Sequence, residues 1–172
     1  MQQVELIPYI SQYESSVTDF LDDIVIEIGI KSNNPFSQKK RLDTIEKHLK
    51  HIDEPQFYHT YIARLNNDTV GLSINKIDAL ISTDENEQEY YIYNSMLVHR
   101  IYVANTHRRQ GIGTQLLKQC IIDAKSTPEI TFLKAKVSQK NQPSRGLFSK
   151  LGFQEKLDQY MDPLFILRLT DY

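Results

Sequence analysis

Apolar positions recur with two different periods along this chain, and the switch between them divides it. Val4 to Tyr9 is a short apolar run closed by Pro8, which reads as an edge strand because proline cannot donate to a ladder. From Ser11 to about Ile28, Val17, Phe20, Leu21, Ile24 and Ile28 recur at the spacing of one helix face. Asn33-Asn34-Pro35 breaks that pattern. Leu42, Ile45, Leu49 and Ile52 then mark a second amphipathic helix from Ser37 to about Ile52, with basic residues on its other faces, and Pro55 closes it.

Beyond Pro55 the period shortens to two. Phe57 to Arg64 alternates and is rich in aromatic and β-branched residues, Asn66-Asn67-Asp68 is a turn, and Thr69 to Ile77 resumes the alternation, which predicts a hairpin. Ser82 to Glu89 is polar and acidic and reads as a solvated loop, and Tyr90 to Val103 is a long strand. Leu116, Leu117, Cys120, Ile121 and Ala124 lie on one face of a helix from Gly111 to about Ala124, which Ser126-Thr127-Pro128 ends. Ile130 to Val137 is a strand, Pro143 to about Leu151 a helix stopped by Gly152, and Ile166 to Leu169 a last strand after an Asp162-Pro163 turn. The order predicts an α/β domain around a mixed sheet. No repeat or low-complexity tract interrupts it.

The 172 residues are the length of one domain, and no boundary divides them, so a single domain over residues 1–172 is expected. Such a chain buries about 70% of its unfolded surface and needs no disulfide or metal for its core. Its one cysteine, Cys120, excludes a disulfide framework and any multi-cysteine zinc site. A net charge of -2 argues against a surface devoted to nucleic acid or anionic membrane. The first residues lack a basic n-region, and the apolar run Ile24 to Ile30 carries Glu27 and is too short to span a bilayer. A cytoplasmic protein is expected.

The stretch that carries chemistry is Ile101 to Leu117. A strand enters a loop with two glycines one residue apart, and a helix follows at once. The first amides of a helix have no intrahelical partner, and the dipole adds positive charge there, so an anion such as a phosphate fits. Gly111 and Gly113 remove the Cβ atoms that would keep it away, and Arg108 and Arg109 add full charges. A dinucleotide fingerprint would need glycine at Leu116 and an acidic residue where Val137-Ser138 stand, and a P-loop would need Lys after Gly113, where Thr114 stands. From the loop alone, a phosphate site and a glycine turn that binds nothing both remain open.

Arg108-Arg109-Gln110-Gly111-Ile112-Gly113 resembles the Gln/Arg-x-x-Gly-x-Gly/Ala signature of the GCN5-related N-acetyltransferases (GNAT), with Val103 before it and Leu116-Leu117 after it at the family's apolar positions. Downstream, Asn141, Ser144, Phe148 and Gly152-Phe153 are similar to that family's second block: Asn, a small residue three on, an aromatic seven on, and Gly-Phe at eleven and twelve on. The two blocks span Met96 to Phe153, about a third of the chain. The element order and the Arg100-Ile101-Tyr102-Val103 strand are also similar to small bacterial members that act on polyamines or other small amines.

The resemblance implies the GNAT fold, a mixed, mostly antiparallel central sheet flanked by helices, and transfer of acetyl from acetyl-CoA to a primary amine of a small molecule or peptide. It implies that the diphosphate rests on the amides from Arg109 to Thr114, and that the pantetheine arm pairs along the strand with the backbone of Ile101, Tyr102 and Val103. Asn141 would hydrogen-bond the arm, Ser144 and Phe148 would line the thioester end, and Lys150 would reach the 3′-phosphate. The amide of Ile101 would be the oxyanion donor. Two positions depart from the family: Phe148 stands where many relatives use Tyr as acid, and the strand Met96 to Tyr102 lacks their base Glu. His99 is the only neutral-pH base on that strand, and alternation puts it on the face of Ile101 and Val103. A structural or surface role for His99 stays open. Ser144, Tyr102 or unaided departure of the thiolate would replace the acid.

Those departures keep a second reading alive, a regulatory domain that binds acyl-CoA without turnover, and a third is a module for another phosphate ligand. Other signals are weaker. His48 and His51 lack a third metal ligand, so no metal is expected. Asp84, Glu85, Glu87 and Glu89, and likewise Asp19, Asp22 and Asp23, are an amine-attracting wall or simply solvated faces. Cys120 falls on an apolar stripe and reads as core; Tyr90, Tyr91 and Tyr93 read as sheet packing or as pocket lining. Lys39-Lys40-Arg41 is too short a basic run for nucleic acid. The acceptor's identity, and the choice between a monomer and a homodimer, stay open.

Overall fold

The computed structural model describes residues 3–27, 43, 45, 46, 49, 50, 57–83, 89–157 and 163–171. Its strands are β1 (Glu5–Pro8), β2 (Tyr58–Leu65), β3 (Asp68–Thr83), β4 (Glu89–Val103), β5 (Phe132–Lys136), β6 (Gln154–Leu157) and β7 (Pro163–Arg168). They form one sheet in the order β1-β2-β3-β4-β5-β7-β6. The β1–β2, β5–β7 and β6–β7 pairs are antiparallel and β4–β5 is parallel, the mixed sheet that the element order predicts. The helices with defined ends are α1 (Glu14–Glu27), α2 (Ile112–Lys125) and α3 (Gln142–Lys150). Asp43, Ile45, Glu46, Leu49 and Lys50 are helical too, as the second apolar stripe predicts.

Ile28, Asn33-Asn34-Pro35, Lys39-Lys40-Arg41, Leu42, His48, His51, Ile52, Pro55, Asp84, Glu85, Glu87 and Asp162 lie outside the described residues, as do the side chains of Glu89, Tyr90, Tyr91 and Tyr93. Three expectations are corrected. β3 runs six residues past Ile77 to Thr83. Pro163 opens β7 instead of making a turn, because the first residue of a strand needs no N–H for the ladder. β6 was not expected at all: Gln154-Glu155-Lys156-Leu157 is exposed at every position, so no apolar alternation marks it, and its ladder is with β7.

The chain clusters into two compact units, residues 1–74 with 100–116, and residues 75–99 with 117–172. In the first, α1 buries Val17, Phe20, Leu21, Ile24 and Val25 against Ile62, Leu72 and Ile74, each side chain worth about 1.5–3 kcal/mol on burial. A second cluster joins Ala63 and Val70 to Ile112 and Leu116 of α2, with Ile101 and Val103 packed on it. Tyr102 and Ala104 pack with the α1 cluster instead, so the end of β4 alternates between the two layers.

In the second unit β5 pairs with β7 along its whole length, and Leu133, Ala135, Phe165 and Leu167 are buried. α3 ends in a left-handed Gly152, φ 83°, with Phe153 N–H on Phe148 O (3.2 Å) and Gly152 N–H on Ser149 O (3.1 Å). That is the Schellman pattern, with the rings of Phe148 and Phe153 supplying its apolar contact. Arg145 grips Glu155 through two bonds of 2.8 and 2.7 Å and lies over the Phe165 ring. Cys120 is fully buried and donates to Asn75 Oδ1 at 3.0 Å, a core residue as its stripe predicts.

Candidate active site

β4 leaves the sheet at Ala104, whose N–H donates to Val70 O at 3.0 Å. Strand alternation then turns the N–H and C=O of Tyr102 toward β3, and those of Ile101 and Val103 away from it. The chain makes a tight turn over Asn105–His107, with His107 N–H on Ala104 O (2.9 Å) and Arg108 N–H on Asn105 O (3.3 Å). Arg108 folds back: its Nε donates to Val103 O at 3.0 Å and its Nη1 to Asn105 Oδ1 at 3.5 Å. One lone pair of the Val103 carbonyl is therefore taken by the loop's own arginine. Gln110 closes the same loop through Nε2 on Thr106 O, 3.2 Å. Neither side chain is recognisable as a loop clasp from the motif, because its partner is set by how the loop closes.

Arg109 (φ 61°) and Gly111 (φ 85°) both take the left-handed conformation, and together they swing the chain into α2. The first helical bond runs from Gln115 N–H to Gly111 O at 3.0 Å. Among the described residues nothing accepts from the amides of Gly111, Ile112, Gly113 or Thr114. A Cβ on Gly111 would meet nothing within 4 Å, so the space beside that residue is open. Among the described residues the Arg109 guanidinium also has no partner, and it is exposed. Free converging N–H groups, a helix dipole and an adjacent full charge are what a diphosphate needs, so this loop fits one.

Tyr102 packs in the α1 layer. Burial raises its phenol above the ordinary tyrosine value, while the charge of Arg100 and a hydrogen bond with it pull the other way. The balance is upward, so Tyr102 holds its proton at neutral pH.

In the second unit the parallel pairing of β4 with β5 covers only Ser95↔Phe132, Met96↔Leu133 and Leu97↔Lys134. β5 runs on to Lys136 and β4 past His99, so the two strands part after Leu97. Backbone groups on the inner edges of such a fork are available to an extended amide chain. His99 is half-buried and stands two residues beyond the last pair. Asn141 is the N-cap of α3: its Oδ1 accepts from Ser144 N–H at 3.2 Å, which leaves Nδ2 as a donor among the described residues. Ser144 is half-buried, Lys150 is exposed in the last turn, and Phe148 is 5% exposed, a core ring more than a lining one.

The first unit also holds a cleft of about 460 Å³ between α1, the β2–β3 turn and the end of β4. Asp19 and Asp23 line it together with Asp68, which the helix pattern alone did not associate with them. Among the described residues no group of three or more His, Cys, Asp or Glu has metal-holding geometry, and no helix is long and apolar enough to cross a membrane.

A profile of the acetyltransferase (GNAT) family matches residues 25–153, well over half of the chain and including residues of both units. The protein belongs to the acetyltransferase (GNAT) family. Its fold is similar to that of PaiA N-acetyltransferase from Thermoplasma acidophilum, solved in complex with coenzyme A (TM-score 0.73, 17% identity, 96% of this chain and 99% of that one). It is similar as well to Arabidopsis thaliana NAA60 in complex with acetyl-CoA (TM-score 0.66, 15% identity, 98% and 99%). A GNAT-family acetyltransferase from Desulfovibrio desulfuricans has a TM-score of 0.63 at 20% identity over 97% and 99%. No protein with a curated description matches the sequence.

Proposed function

We propose that the chain acts as a single N-acetyltransferase domain that takes acetyl from acetyl-CoA and gives it to a primary amine. The observation that carries this reading is the run of unpartnered amides from Gly111 to Thr114, with open space beside Gly111, in a chain of the acetyltransferase family. Acetyl-CoA supplies an activated thioester. Gly111–Thr114 and Arg109 hold its diphosphate, with Arg108 and Gln110 keeping the loop in shape. The backbone of Ile101 and Val103 pairs with the arm, one lone pair of the Val103 carbonyl being already held by Arg108. The Ile101 N–H is the donor for the oxygen on which charge develops. Asn141, Ser144 and Lys150 take their roles from the second motif block, Asn141 through its Nδ2.

Attack requires a neutral amine, so a base must hold the proton that the ammonium sheds. We assign this to His99, directly or through water, and proton return to the thiolate to Ser144 or Tyr102. His99→Ala is then expected to flatten the acid limb of the pH dependence of kcat/KM, because a base loses activity as pH falls through its pKa; an unchanged limb removes His99. Asn141→Asp keeps an oxygen on the Ser144 N–H, adds charge suited to a helix N-terminus, and deletes the Nδ2 donor. We expect an unchanged or higher Tm with acetyl-CoA binding weakened about five-fold or more, read by calorimetry.

Phe148 lacks a hydroxyl, which favours one alternative, a domain that binds acyl-CoA without turnover. Thiol release from acetyl-CoA across a panel of diamines, polyamines and peptide amines separates the two. Release with any amine supports the enzyme, and heat of cofactor binding with no release across the panel supports the regulator.

A further inference from the structure

Gly71, on β3, faces the first turn of α2. A Cβ built there would stand 3.1 Å from Ile112 Cγ2 and 3.2 Å from both Ala63 Cβ and Leu116 Cδ1. Carbon atoms pack comfortably at about 3.5–4.0 Å, so a methyl at this position must push its neighbours away. All three are enclosed: Ile112 is 1% exposed, and Ala63 and Leu116 are fully buried. Ala63 is held by the β1–β2 ladder, where it pairs with Leu6. The side that can give is the start of α2. Ile112 is its first residue, and the amides of Gly111 to Thr114 are the ones with no acceptor among the described residues.

We infer that Gly71 is a positioning residue for the anion cradle: its missing side chain lets the first turn of α2 seat on the sheet at the depth that aims the amides of Gly111–Thr114. The inference rests on the reading of those amides as the diphosphate site. A displacement of a few tenths of an ångström stretches all of those bonds together, because they belong to one rigid helical turn. Charge-assisted bonds are the strong ones, so small losses in each multiply.

The test is Gly71→Ala, with coenzyme A binding followed by calorimetry and turnover followed with acetyl-CoA and with S-acetylpantetheine, which lacks the diphosphate. We expect coenzyme A to bind about five-fold or more weakly, while kcat/KM for S-acetylpantetheine stays within about two-fold of wild type. A packing role alone would lower the Tm and leave coenzyme A affinity as in wild type, and that result overturns the inference while the diphosphate reading stands. Should wild type itself give no heat with coenzyme A, the reading fails and takes the inference with it. Gly71→Ala combined with Leu116→Ala removes an atom that the new methyl would meet at 3.2 Å, at a residue outside the cradle, and keeps the experiment readable if the single variant does not fold. Affinity within about three-fold of wild type in that pair supports the inference, and a larger loss overturns it.

Discussion

Gly111→Glu is expected to abolish coenzyme A binding while leaving a folded protein. The two halves of that result have separate physical causes. A Cβ at 111 would meet nothing within 4 Å, so the added side chain starts out in open space beside the first turn of the helix. There its carboxylate takes the position of the diphosphate and repels it. Loss of two charge-assisted bonds at about 1.5–3 kcal/mol each corresponds to about 100-fold or more in Kd. The cost to the fold is confined to the backbone. Gly111 has φ 85°, a left-handed conformation that costs a residue with a Cβ about 1–2 kcal/mol. For a chain of this length that lowers the Tm by about 2–8 °C. Calorimetry with coenzyme A and a thermal melt, run on the same preparation, read both halves. Gly111→Ala carries the same strain without the charge, so a far smaller loss of affinity in that variant assigns the effect to the carboxylate. Unchanged coenzyme A binding by Gly111→Glu removes the site from this loop.

What the amino-acid order discloses in advance depends on how local its cause is. Gly111 and Gly152 were readable because each marks a place where the chain must enter a conformation that other residues avoid, and both are left-handed. The α1 stripe was readable because Val17, Phe20, Leu21 and Ile24 answer to one helix period, and all four are buried. β6 was not, because an edge strand exposed on both faces carries no alternation, and its partners, β7 and Arg145, are remote in pattern from it. The fork between β4 and β5 is non-local in the same sense: nothing in Leu97-Val98-His99 says that pairing stops at Leu97. The same limit applies to side-chain partners. Arg108 was readable as a charge beside the glycines but not as the donor that occupies Val103 O, and Asn141 as a polar ligand but not as the cap that spends its oxygen on Ser144. Asp68 joined Asp19 and Asp23 only once the β2–β3 turn was placed beside α1.

Phe148 is where the motif and the packing pull apart, and Phe148→Ala is expected to destabilise the protein more than any change in the loop. Its ring stands edge-on to Phe153, with centroids 5.0 Å apart at 81°, and tilts against Phe165 at 5.7 Å. Truncation of a buried phenylalanine costs about 3–5 kcal/mol through lost transfer energy and the cavity left behind. That is a large share of a stability that totals about 5–15 kcal/mol for an ordinary domain. The effect concentrates on one corner, because Phe148 also closes the end of α3: Phe153 N–H bonds its carbonyl, and the two rings are the apolar half of that stop. Equilibrium denaturation is expected to give a Tm lower by about 6–20 °C. Phe148→Leu keeps most of the volume and loses the aromatic pairs, worth about 0.5–1.5 kcal/mol each, so it should fall between Ala and wild type. A Phe148→Ala protein as stable as wild type would show that the ring is not part of the core and would return position 148 to the reacting end of the site. The ordering Phe, Leu, Ala assigns it to the core, and the proton for the departing thiolate then has to come from elsewhere.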